Sequence, residues 1–104
     1  MPKRIQWRRT KGFRLPPNTL CITRPSALAN PYPVRDYGRA RALELFTAYL
    51  DALDPVLLQM RLAQIREADY LACFCKPEDA CHGDIWIARA AAWAQAEEVQ
   101  HADL

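Results

Sequence analysis

Four residues in one short stretch have side chains that can do chemistry: Cys73, Cys75, Cys81 and His82, set in L-A-C-F-C-K-P-E-D-A-C-H-G-D over residues 71–84. Thiolate and imidazole are good ligands for zinc or iron. They are also the side chains that ionise nearest neutral pH. The spacing is C-x-C-x5-C-H rather than the C-x2-C knuckle of many structural zinc sites, and one compact segment supplies every ligand. Spacing alone therefore favours no metal or other cofactor. If one were bound, its ligands would be Cys73, Cys75, Cys81 and His82, and zinc or iron would fit them. A second reading is a thiol or imidazole active site. Cys81 and His82 fall where a helical pattern begins, and the free amides and positive end of a helix favour a thiolate or an anion. Cys75 follows a strand. The catalytic candidates are then Cys75, Cys81 and His82, with Asp84 either orienting the imidazole or stabilising the first helical turn. A third reading is structural: Cys73 in the core, Cys81 under the helix, His82 on a backbone carbonyl.

The flanking sequence shows what must position this stretch. Residues 69–74 are apolar on both faces, which suits a parallel strand covered by helices. Residues 19–24, T-L-C-I-T-R, read as another strand that Pro25 ends. Cys21 within it is either a small buried hydrophobe or a fourth ligand. The loop 25–33 holds three prolines. Arg24, Ser26 and Asn30 there offer donors to an anionic or amide-bearing ligand, unless Asn30 simply bonds backbone. Residues 38–53 predict an amphipathic helix on Ala42, Leu43, Phe46, Tyr49, Leu50 and Leu53, capped by Asp36. Asp54-Pro55 starts a second helix with Leu58, Leu62 and Ile65 inward. A last helix runs from Gly83 to about Glu98, with Ile85, Ala88, Ala92 and Trp93 buried and His101 solvated beyond it. This order predicts a small Rossmann-like three-layer α/β domain with a short, mainly parallel sheet. The loop at Arg24–Asn30 and the loop at Cys75–His82 would face each other across one cleft.

Charge is distributed unevenly. Residues 1–35 carry eight Lys/Arg and no acid, whereas residues 36–104 carry six Lys/Arg and all twelve Asp/Glu, so a net +2 hides +8 against −6. Residues 1–17 read as a basic arm or edge strand, and residues 18–104 as a single α/β domain. Arg4, Arg8, Arg9, Lys11 and Arg14 suit a nucleotide or nucleic-acid partner, with Trp7 and Phe13 stacking on bases or anchoring the core. The alternative is that the arm lies against the acidic remainder of its own chain. At 51% hydrophobic and 25% charged the composition is that of a globular domain. No apolar run is long enough to cross a membrane and no signal-peptide core follows the basic start. The expectation is a cytoplasmic protein with thiols rather than disulfides and no membrane partner. It would be a monomer, or a homodimer through an exposed sheet edge.

Three stretches resemble one phage and bacterial family, domain of unknown function 4326. W-R-R-T-K-G-F-R-L-P-P-N-T (7–19) is similar to its R-R-T-K-G-W opening. R-P-S-A-L-A-N-P-Y (24–32) is similar to R-P-[ST]-x-W-G-N-P-[FY], and the cysteine stretch to L-A-C-[WF]-C-x5-C-H-[AG]-D. Leu28 and Ala29 stand in place of Trp-Gly, and Thr23 in place of a common Gly. A weaker similarity joins the stretch to domain of unknown function 488, which has Glu at the place of Cys75. The resemblance implies an α/β domain, in the host cytoplasm if phage-encoded, and no particular activity. Residues and resemblance together point to a nucleotide- or nucleic-acid-associated protein, possibly an enzyme, with a Cys/His pocket facing an Arg/Asn loop. The alternatives are a non-enzymatic interaction module working through the basic arm, and a zinc- or iron-stabilised domain.

Overall fold

The computed structural model describes the backbone of residues 1–102 and the side chains of residues 1–96. The expectation for His101 falls outside the described side chains. Three short strands, β1 (Lys3–Gln6), β2 (Thr19–Cys21) and β3 (Tyr70–Cys73), form one parallel sheet in the order β1-β3-β2. β3 is the centre because it alone is apolar on both sides: Leu71, Ala72 and Cys73 are buried, while β1 and β2 are only half-covered. The ladder continues past each edge strand. Trp7 N donates to Cys73 O (2.8 Å) and Ile22 N to Ala72 O (3.0 Å). Residues 3–6 of the basic segment thus form an edge strand. The chain is α/β with a wholly parallel sheet. The Rossmann-like detail goes beyond what three short strands in this order establish.

Four helices follow: α1 (Val34–Tyr37), α2 (Arg39–Ala52), α3 (Pro55–Glu67) and α4 (His82–Ala102). α3 starts as its sequence dictates, with Pro55 in the first turn and Asp54 accepting from the Val56 and Leu57 amides at 2.9 and 3.3 Å. α2 starts differently. Asp36 does not cap it, because residues 34–37 form their own turn of helix. Gly38 at φ 78° makes the corner, a left-handed value that disfavours side chains. Of the expected α2 and α3 stripes, Ala42, Phe46, Leu50, Leu62 and Ile65 are buried, while Leu43, Tyr49, Leu53 and Leu58 are half-buried. On α4 the expected face is rotated. Ala88 and Ala92 are exposed and Ile85 is half-buried, whereas Trp86 and Ala90 are fully buried. Trp86 sets that rotation: its indole donates to Leu28 O at 2.8 Å and meets Phe46 edge-on. Among the described residues no helix is long and apolar enough to cross a membrane.

The start of α4 is held tightly against the sheet. A Cβ on Gly83 would lie 2.9 Å from Ile22 Cδ1 and 3.0 Å from Arg4 Cδ, and Ile22 is fully buried. Gly83→Ala improves helix propensity by about 1 kcal/mol, but forcing a methyl into this contact costs about 1–3 kcal/mol. The variant is predicted to be less stable than the parent in urea unfolding. A gain in stability would mean that α4 has room to move.

Candidate functional site

Parallel strands put their carboxyl ends together. Here Gln6, Cys21 and Cys73 end the three strands on one side. Cys73 ends β3 and Cys75 lies in the bend that follows, with their sulfurs 3.6 Å apart. The loop after Cys75 doubles back and brings Cys81 to the start of α4. The three sulfurs then all lie within 4.8 Å of one another. In a tetrahedral zinc thiolate with bonds of about 2.3 Å the sulfurs stand about 3.8 Å apart. The spacing therefore suits a metal ion, and the cluster can hold one.

The membership differs from expectation. Cys73, half assigned to the core, belongs to the cluster. His82, a ligand only on the metal reading, does not: its Nε2 lies 2.8 Å from Ile22 O. Burial pushes the imidazole pKa down, so the ring is neutral. Because a carbonyl only accepts, Nε2 carries the proton and Nδ1 faces Cys81 Sγ at 3.6 Å. His82 thus ties the end of β2 to α4, as the structural reading had it. Cys21 does not join the group and is half-buried.

The thiols differ in character. Cys75 is held well below the ordinary thiol range, first by the Cys73 and Cys81 thiols that hydrogen-bond to it and then by the Arg39 guanidinium, whose Nη1 lies 3.6 Å from its sulfur. The other two are pushed up: Cys73 chiefly by its bond to Cys75, Cys81 by its bonds to both partners and by burial. The thiol whose pKa is lowered is Cys75 and not, as the helix-start argument suggests, Cys81. The Gly83 amide does donate to Cys81 Sγ at 3.5 Å, but that contact is outweighed.

Two arginines hold the loop around the cluster. Arg4 Nε donates to Asp84 Oδ1 at 2.9 Å, and its Nη atoms donate to the carbonyls of Lys76, Pro77 and Asp79 at 3.4, 3.0 and 2.9 Å. Its side chain is only 10% exposed, so Arg4 is a clamp and is not available to nucleic acid. That corrects its place in the basic arm. Arg8, Arg9, Lys11 and Arg14 remain on the surface. Asp84 serves the helix and the clamp rather than His82, its Oδ2 accepting from Cys81 N at 3.2 Å. From the other side Arg39 donates to Ala80 O at 2.6 Å and pairs with Asp79 at 3.6 Å.

The facing loop does close the cleft. A pocket of about 310 Å³ is lined by Thr23, Arg24, Asn30, Tyr32, Arg39 and the three clustered cysteines, among others. Of the expected ligand-binding residues, Arg24 is exposed at this pocket with Nη2 on Asn30 O at 3.1 Å. Ser26 holds the loop instead, its Oγ accepting from Leu28 N at 3.1 Å. Asn30 lines the pocket, yet its amide donates to Ala42 O (3.1 Å) and accepts from Tyr32 N (2.9 Å), which is the backbone-bonding alternative. Leu28 is core and Ala29 borders the pocket, so the position where Trp is usual is not a pocket wall here. Arg39 was missed. Its signal was local: a cation in the first turn of a helix faces the positive end of the dipole and needs a reason elsewhere.

The clamp makes a prediction. Arg4→Gln removes a charged donor from three carbonyls and a carboxylate, which is expected to cost about 2 kcal/mol in urea unfolding, discounted because Asp84 is half-exposed. Amide exchange should rise over residues 76–80 before it rises in β3. Unchanged exchange in that loop would contradict the clamp.

A family model described as Domain of unknown function (DUF4326) matches residues 5–93. No curated protein and no solved structure matches the chain. The matched residues take in both walls of the pocket, the clustered thiols and the start of α4, and the chain belongs to the DUF4326 family.

Proposed function

We propose that this protein carries a zinc ion on Cys73, Cys75 and Cys81 and presents it to an anionic, nucleotide-sized ligand in the pocket. The observation that carries the reading is the convergence of three sulfurs within 4.8 Å on a pocket wall. Soft thiolates select zinc or iron over hard cations, and zinc accepts three protein ligands with one position left for water or ligand. Zinc with three thiolates is net negative, and Arg39 and Arg4 stand beside the cluster to balance it. Arg24 and Arg39 flank the opening and can pair with a phosphate or carboxylate. Tyr32, Pro33, Val34 and Leu43 give the pocket an apolar side for a ring. Its volume is within the usual range for small-molecule sites, roughly 300–1,000 Å³.

A second reading has one observation in its favour. Cys75 is the one thiol of the three that is only half-buried, and it has a guanidinium 3.6 Å away. In protein without metal it is the group placed to attack an electrophilic ligand, with Cys81, His82 and Asp84 engaged in holding the site.

Protein purified without chelator is expected to contain about one zinc per chain by elemental analysis. Cys73→Ser, Cys75→Ser and Cys81→Ser should each reduce it below a tenth, while Cys21→Ser and His82→Gln should not. Metal-free parent protein, or loss of metal in Cys21→Ser, would overturn the ligand set. Arg39→Met is expected to weaken binding of a nucleoside monophosphate about tenfold or more in calorimetry, since a charged hydrogen bond is worth about 1.5–3 kcal/mol. Equal affinity in the variant would remove Arg39 from the anion site.

A further inference from the structure

The carboxyl-end surface does not stop at the cysteine pocket. Phe74 sits in the bend between Cys73 and Cys75, just past the end of β3. It is 36% exposed, which is unusual for a phenylalanine beside the centre of a sheet. Trp7 stacks on it with ring centroids 5.1 Å apart and planes 14° from parallel, and the Arg9 guanidinium lies 4.5 Å from the same ring. The surroundings are grooved. One cavity of about 340 Å³ is lined by Trp7, Arg9, Thr23, Arg24 and Phe74 and shares the last three with the cysteine pocket. Another, of about 630 Å³, continues from the same aromatic pair past Arg8 and Lys76. A half-exposed aromatic pair, with Arg8, Arg9 and Lys76 around it and one acid, Glu78, on the far groove, is complementary to a polyanion bearing flat rings.

We propose that Trp7 and Phe74 form a base-stacking platform, and that the ligand of the cysteine pocket is one nucleotide of a single-stranded nucleic acid whose neighbours lie along this groove. The inference rests on the pocket's taking a nucleotide. The pocket holds one unit between Arg24 and Arg39, the platform stacks the next base, and Arg8 and Arg9 pair with the intervening phosphates.

The test is calorimetry on the 104-residue chain, purified without chelator, with thymidine monophosphate and with a thymidylate tetranucleotide at one fixed salt concentration. The tetranucleotide should bind at least tenfold more tightly. Trp7→Ala should abolish that gain, Trp7→Phe should keep most of it, and Arg8→Ala with Arg9→Ala should flatten its salt dependence. Circular dichroism melting shows whether Trp7→Ala folds. If it does not, the Trp7→Phe and arginine variants decide. If the monophosphate binds but the tetranucleotide gains nothing, or gains equally in Trp7→Ala, the platform is overturned while the pocket reading stands. A glutamate tetrapeptide binding as tightly as the tetranucleotide would reduce the surface to charge alone and overturn it too. If neither nucleotide binds, the pocket reading fails and this inference with it.

Discussion

The guanidinium of Arg4 makes more of the contacts that close the site than any other side chain. Arg4, on the edge strand, reaches across to Asp84 and to three carbonyls of the loop between Cys75 and Cys81. Lys76 O also accepts from Asp79 N inside the loop, but Pro77 O and Asp79 O would otherwise be left to water. By satisfying them, Arg4 fixes where the loop returns, and hence where Cys81 meets Cys73 and Cys75. The same side chain packs on Gly83, where a Cβ would collide with it. Site and fold are therefore coupled: the strand that completes the sheet also closes the cysteine loop.

His82 makes the second tie. Its bond to Ile22 O joins the end of β2 to α4, and Phe46 packs edge-on against its ring. Trp86, one turn on, donates to Leu28 O in the facing loop. The first turns of α4 thus grip both β2 and the loop that follows it, which places Arg24 opposite the thiols. The apolar layer of Phe46, Leu50, Ile65 and Leu71 beneath supplies the rigidity. A ligand in the pocket would meet side chains whose positions are already set, and preorganisation of that kind lowers the cost of binding.

Much of this was legible in the chain. The apolar run placed β3 with Cys75 just beyond it, the Asp-Pro pair placed the start of α3, and the order of elements placed two loops at one end of a parallel sheet. Contacts between residues distant in sequence were not legible. Arg4 looked like one more cation in a basic arm, because nothing near it in sequence reveals Asp84, eighty residues on. The buried face of α4 was misread because its alanines fit either side, and Trp86 chose the side by finding a carbonyl at Leu28. Sequence leaves His82 open between catalytic group, ligand of a bound metal and bond to a carbonyl, and only the fold shows the imidazole on Ile22 O. Cys73 was read partly as core because a strand interior is where small apolar side chains belong. It is buried, and its sulfur is still part of the cluster.

The central claim is that three thiols form a metal centre with one position open to the pocket. X-ray absorption at the zinc edge of the purified protein addresses it directly. Three sulfur neighbours at about 2.3 Å and one lighter atom at about 2.0–2.2 Å are expected. A shell of four sulfurs, or one without sulfur, would contradict it.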